Sequence, residues 1–119
     1  GKDLMLAGAQ DNGTNQLTTS GLCNENMISG GDGGYCFISQ TNDNKQIVSY
    51  VYNQFYSTTN NWTANAKIID DATTGKFINP AVWDDLNGYL FTGKSNCLYL
   101  FIDFSLSVPS PTGCCTIHG

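Results

Sequence analysis

The chain has 119 residues and a mass of 12.9 kDa, the size of one domain with a single hydrophobic core. Charged residues make up only 13% of the sequence, all five basic residues are lysines, and the formal net charge is −5. Nucleic-acid surfaces need clustered Lys and Arg to meet phosphates, so this composition excludes nucleic acid as a partner and argues against an anionic membrane surface.

The polar surface must consist of neutral side chains instead of charged ones. Stretches rich in Asn, Thr, Ser and Gly occupy 12–15, 18–21 and 57–61. A surface with little charge repulsion permits close contact between copies of a chain. The composition therefore fits either a loop-rich secreted protein or a subunit of a surface layer or fibre.

Five cysteines in a small chain are typical of an oxidising compartment; they are Cys23, Cys36, Cys97, Cys114 and Cys115. No CxxC pair occurs, which disfavours a structural metal cluster. Proximity predicts a disulfide between Cys23 and Cys36 and another between Cys97 and either Cys114 or Cys115. The remaining cysteine is then buried, or it pairs with another chain.

These features predict a secreted, extracellular domain spanning 1–119. The apolar run Leu98–Phe104 is interrupted by Asp103 and is too short to cross a bilayer, so we expect no membrane insertion. Two sequons, at Asn12 and Asn61, are candidate glycosylation sites.

The first part of the chain, 1–34, is mostly turn-like and ends in the glycine-rich run Gly30–Gly34, which indicates a hinge or a tight turn. A strand is predicted over 35–39. The segment 47–56 fits both a helical and a strand period, but its β-branched and aromatic residues favour a strand.

Further strands are predicted over 64–70 and 76–78. Asn79-Pro80 is typical of a helix start, and Gly88 of a helix end, so one short helix is expected near 80–87. From 96 to 108 apolar residues alternate strictly, which predicts a long strand. The fold class is therefore mainly β: a small, disulfide-stapled antiparallel domain, a sandwich or barrel, with one short helix.

Two segments resemble parts of known families. The stretches Ala66–Ala72, Phe77–Ala81 and Leu86–Gly88 resemble the strand–turn–helix unit of double-psi barrels in the expansin and cerato-platanin group. Val82–Leu86 followed by Tyr89–Gly93 resembles a passage in some type IV pilin-like head domains. No site residue is transferred from either family.

The sequence favours no catalytic constellation. The only histidine, His118, lies one residue from the end, where a general base is hard to hold in place. The carboxylate pairs 70–71 and 84–85 do not converge by their spacing. No cofactor is expected, although calcium binding by Asp11, Gly13 and Asn15, or by the acidic pairs, stays open.

A possible ligand site surrounds Trp62, which lies in the turn sequence Asn60-Asn61-Trp62-Thr63. Sugars are bound by aromatic faces with amide and hydroxyl groups around them, and these residue types suit that chemistry. The alternative is that Trp62 folds back into the core.

The expected function is a non-enzymatic extracellular interaction module. The first hypothesis is a self-associating, adhesive subunit of a surface, fibre or pilus-like assembly, so the expected partner is a second copy of the chain. The alternative is a lectin-like, carbohydrate-binding secreted protein using Asn60, Asn61 and Trp62. A wall-loosening or hydrolytic enzyme is the third hypothesis.

Overall fold

The computed structural model describes residues 3–19, 25–94, 97–102 and 113–116. In these ranges the chain forms strands that pair into three antiparallel sheets, which confirms the prediction of a mainly β, antiparallel domain. The strands are β1 (Met5–Ala9), β2 (Gly13–Leu17), β3 (Asn26–Ser29), β4 (Cys36–Ile38), β5 (Gln46–Ser49), β6 (Asn53–Thr58), β7 (Ala66–Asp71), β8 (Ala81–Asp84), β9 (Tyr89–Lys94), β10 (Cys97–Ile102) and β11 (Gly113–Thr116). The first sheet has the order β1-β2-β3, the second β4-β5-β6-β7 and the third β11-β10-β9-β8.

The second sheet is covered on both faces. Ile47 and Val48 are neighbours on β5, point to opposite faces, and are both fully buried. On the Ile47 face, Ile47 and Phe55 pack against Ala81 and Leu90 of the third sheet. On the opposite face, the buried Gln16 of the first sheet reaches Gln46. The sheets therefore stack in three layers, with the second sheet in the middle.

A buried polar cluster ties the second sheet to the third. The side-chain amide of Asn79 donates to Thr92 Oγ1 at 2.8 Å and to the carbonyl of Gly93 at 2.7 Å, and it also bonds Asn53 Oδ1. Asn53 Nδ2 donates to the same Gly93 carbonyl at 2.9 Å. Asn53 and Asn79 are 0% and 2% exposed, so these bonds have no solvent to replace them.

The glycine-rich run 30–34 packs between the first two sheets. The Gly33 amide donates to the Ala9 carbonyl at 3.0 Å. A Cβ added to Gly33 would lie 2.2 Å from the Gly13 carbonyl oxygen, and one on Gly34 would lie 2.5 Å from Ser49 Oγ. Gly33 must be glycine because backbone meets backbone too closely for a side chain, whereas at Gly34 the close neighbour is the Ser49 side chain.

The predicted short helix near 80–87 is wrong. Residues 81–84 form β8, in which Ala81 is 7% exposed and Val82 66%, the alternation of a strand. Ala81 pairs with Thr92 of β9, and residues 85–88 make the connecting turn, where Gly88 has φ 73°. The sequence around Pro80 carries helix-start signals, but pairing with β9 decides the local structure.

Two further expectations need correction. The segment 47–56 is not one strand but parts of β5 and β6, joined through Tyr52, whose φ is 58°. The described residues of the first 34, which are 3–19 and 25–34, are not mostly turn-like, since β1, β2 and β3 lie there. Of the long strand predicted over 96–108, β10 confirms 97–102, and 103–108 lie outside the described residues.

In the part of the chain that the structure describes, no helix has the length and apolar character needed to cross a membrane.

Candidate functional site

A cleft of about 310 Å³ opens between the first and second sheets, beside the end of β3. This volume is at the small end of the range for small-molecule sites. Three aromatic side chains face it from the β5–β6 connection, from β6 and from the turn after β6. Its lining consists of Ile28, Ser29, Gly30, Tyr50, Tyr56, Trp62 and Asn65.

The turn between β6 and β7 presents Trp62. The Thr58 hydroxyl accepts from the Trp62 amide at 3.0 Å and donates to the Ala64 carbonyl at 2.7 Å. Asn61 and Trp62 both adopt left-handed backbone, with φ of 54° and 66°. Such residues cost roughly 1–3 kcal/mol each and are retained where the surroundings hold them.

An amide cluster, formed by the buried Gln16 and Gln46 and the exposed Asn61, holds this turn in place. Gln16 Nε2 donates to Gln46 Oε1 at 3.0 Å and to Asn61 Oδ1 at 2.8 Å. Gln46 Nε2 donates to Asn61 Oδ1 at 3.0 Å and to the Asp43 carbonyl at 2.7 Å. Gln46 is 0% exposed and Gln16 3%, so the bond between these two side chains is shielded from water.

The amide cluster also orients the Trp62 ring. The indole Nε1–H donates to Gln46 Oε1 at 2.6 Å. Because the polar edge of the indole is bonded inward, the half-buried ring is fixed against the second sheet and contributes to the cleft wall. The Trp62 ring is therefore held in position, before any ligand binds, by the amide cluster with Gln16 from β2 and Gln46 from β5.

The two tyrosines are also fixed by their neighbours. Gly31, at φ 76°, lies so close to Tyr50 that an added Cβ would be 2.6 Å from the ring. Lys67 Nζ lies 5.4 Å from the centroid of the Tyr56 ring and forms a 2.9 Å ion pair with Asp70. The hydrogen bond to Asp70 raises the pKa of Lys67, so this amine is charged at neutral pH.

The structure brings one of the three predicted ligand residues into the cleft. Trp62 lines it, whereas Asn60 and Asn61 shape the turn behind it. Asn60 Oδ1 accepts from the Ala64 amide at 2.9 Å, and Asn61 Oδ1 belongs to the amide cluster. Glycosylation of Asn61 stays a prediction, as does that of Asn12, which is exposed.

Sequence reasoning missed the other half of the site. Tyr50 and Tyr56 belong to an apolar segment that resembles a core strand, and nothing in their spacing marks them as lining a cleft. Gln46 is 16 residues from Trp62 along the chain and Gln16 is 30 residues from Gln46. Only the stacking of the sheets brings them together.

The cysteine predictions fall mainly outside what is described. Among the described residues Cys36 has no disulfide partner: its half-buried thiol donates to the Gly34 carbonyl at 3.4 Å, and burial raises the pKa of this thiol. Cys23 lies outside the described residues, as does His118. For Cys97, Cys114 and Cys115 only the backbone is described, with Cys114 opposite Tyr99 and Cys115 opposite Leu98. The disulfide pairing stays a prediction.

The acidic pairs take part in local hydrogen bonding. The Asp71 carboxylate accepts from the amides and hydroxyls of Thr73 and Thr74 at 2.5–3.1 Å. Asp85 accepts from Ser39 and Gln40, which links the β8–β9 turn to the β4–β5 turn. The pKa of Asp84 is lowered by its hydrogen bonds from Asn87.

The other proposed calcium residues lie at the β1–β2 turn. The Asp11 amide donates to Asp32 Oδ1 at 2.9 Å, and Asn15 Nδ2 donates to the Asn12 carbonyl at 3.1 Å. Among the residues described, no three His, Cys, Asp or Glu side chains gather as a metal site would require. Calcium binding stays an open alternative to the expectation of no cofactor, and neither is tested by these contacts.

The chain shows no significant match to a protein-family model, to a curated protein or to a solved structure. Its function must therefore be argued from its own residues.

Proposed function

We propose that the protein is an extracellular, non-enzymatic carbohydrate-binding module that holds a saccharide in the cleft. The observation that carries this proposal is the fixed Trp62 ring, which shares the cleft with Tyr50 and Tyr56. A sugar ring has an apolar C–H face that packs on an aromatic ring, and hydroxyls at its edge that bond polar groups. Asn65 and Ser29 supply an amide and a hydroxyl at the same cleft.

Preorganisation supports a binding role. The Trp62 ring and its turn are held by the amide cluster before any ligand arrives. A side chain that is already ordered loses little conformational entropy on binding, so more of the contact energy contributes to affinity.

The chemistry of the lining supports recognition instead of hydrolysis. The described residues that line it offer hydroxyl, amide and aromatic groups, which hydrogen-bond to a sugar and pack against it. Hydrolysis of a glycosidic bond uses two carboxyl groups that face the bond.

A glycan array is the experiment that tests this function. We expect the fluorescently labelled protein to bind a subset of immobilised saccharides. An array that stays blank at protein concentrations up to about 100 μM, a range in which weak small-ligand binding is detectable, would remove the proposal.

A second candidate function is self-association as a surface, fibre or pilus-like subunit. It is favoured by β8, which lies at an edge of the third sheet, and by the exposed Val82 and Leu86, at 66% and 89%. We expect the sedimentation coefficient to rise with concentration and to stop rising when both residues are replaced by lysine. A wild-type protein that sediments as a monomer at every concentration would contradict this candidate.

A further inference from the structure

We propose that the cleft accepts uncharged saccharides and rejects those bearing carboxylate or sulfate groups. This inference rests on the proposed carbohydrate-binding function and names the chemical class of its ligand. It follows from the charges in and around the cleft.

Among the described residues, the cleft wall carries no cation that could pair with an anion. The seven described residues that line it are all of uncharged types. An anionic group that enters a partly desolvated site without a cation to pair with it loses hydration that neutral groups replace only in part. Hydroxyl groups bring no such cost, because each can both donate to and accept from amide and hydroxyl partners such as Asn65 and Ser29.

Lys67 is a cation beside the cleft, and its charge is already paired with a carboxylate. Lys67 lies over the Tyr56 ring, but its amine forms a 2.9 Å hydrogen-bonded ion pair with Asp70. An acidic sugar that recruited Lys67 would have to compete with this carboxylate. The formal net charge of −5 adds a long-range repulsion toward polyanionic chains.

The test compares neutral oligosaccharides with acidic ones built on the same backbone: glucan with glucuronan, galactan with galacturonan, and lactose with sialyllactose. Affinities are measured by calorimetry for each pair. We expect the neutral member of the bound pair to bind at least about tenfold more tightly, and its Kd to change less than about twofold between about 20 and 500 mM NaCl. The double variant K67Q/D70N, which removes both charges beside Tyr56, is expected to keep this preference.

Failure of this inference and failure of the proposed carbohydrate binding would give different results. Tighter or equal binding of the acidic member, with affinity that falls as salt rises, would overturn this inference while leaving carbohydrate binding intact. If neither member of any pair binds and the glycan array is also blank, the proposed function falls and the inference falls with it.

Discussion

Replacing Trp62 with alanine is expected to weaken saccharide binding by at least about tenfold, or about 1.4 kcal/mol. The indole supplies a large flat surface in the cleft, and its position is fixed by the 2.6 Å bond to Gln46. Truncation removes that surface and opens the cleft to water. Calorimetric titration with a saccharide selected on the array measures the loss.

The substitution should affect the fold only modestly. Gln46 Oε1 keeps the bond from Gln16 when the indole is removed, so the free energy of unfolding should fall by about 1 kcal/mol. Phe77→Ala is the matched control, because Phe77 is an exposed aromatic, 44% accessible, that lies outside the cleft. Unchanged affinity in the Trp62 variant, or an equal loss in the Phe77 variant, would argue against the cleft as the site.

Asn79→Asp is expected to lower the free energy of unfolding by about 2–4 kcal/mol at neutral pH. The two side chains have the same shape, so packing is kept. The change replaces an NH₂ group that faces Asn53 Oδ1, Thr92 Oγ1 and the Gly93 carbonyl with an oxygen that cannot donate when ionised. Denaturant unfolding followed by circular dichroism measures the effect.

The loss of stability caused by Asn79→Asp should increase as the pH rises. Burial disfavours the ionised carboxyl, so its pKa in the folded protein is raised above the unfolded value of about 3.9. The loss relative to wild type is therefore smallest below about pH 4 and grows as pH rises through the folded pKa. The matched control is Asn42→Asp, at an exposed residue whose side-chain oxygen accepts from the Asn44 amide; it should change stability by less than about 0.5 kcal/mol. Equal losses of stability in the two variants would show that the buried hydrogen bonds of Asn79 are not the cause of the loss.

Three of the strands that local residue patterns predicted lie close to their predicted ranges in the structure. The segments 35–39 and 64–70 correspond to β4 and β7, and the alternation after residue 96 corresponds to β10 over its described part. The segment 47–56 was predicted as one strand because apolar and aromatic residues continue through 50–52, where the chain passes from β5 to β6 and Tyr52 has φ 58°. Because β5 is covered on both faces, apolar residues also occur consecutively there, as in Ile47 and Val48, and the period of two disappears.

The predicted helix failed because tertiary pairing overrode local signals. Asn79 has the chemistry of a helix cap, but its side chain is committed to the buried cluster between two sheets. The residues after it, Val82 and Trp83, suit a strand as well as a helix, and pairing with β9 selects the strand. No window of sequence contains that partner.

The candidate site was predicted only where its signal is local. Trp62 stands among turn residues, where a tryptophan need not be buried, and the alternative was that it folds back into the core; the structure places it, half-buried, at the cleft. The residues that orient it, Gln16 and Gln46, are polar residues within strands, and their role arises from the stacking of the first sheet on the second. Their burial could not be predicted from composition or spacing.

A glycan array probed in parallel with the wild-type protein and the Trp62→Ala variant tests most directly whether the Trp62 cleft binds a saccharide. We expect the wild type to bind a set of neutral saccharides and the variant to lose these signals while remaining folded. A blank wild-type array, or signals that persist unchanged in the folded variant, would contradict the claim.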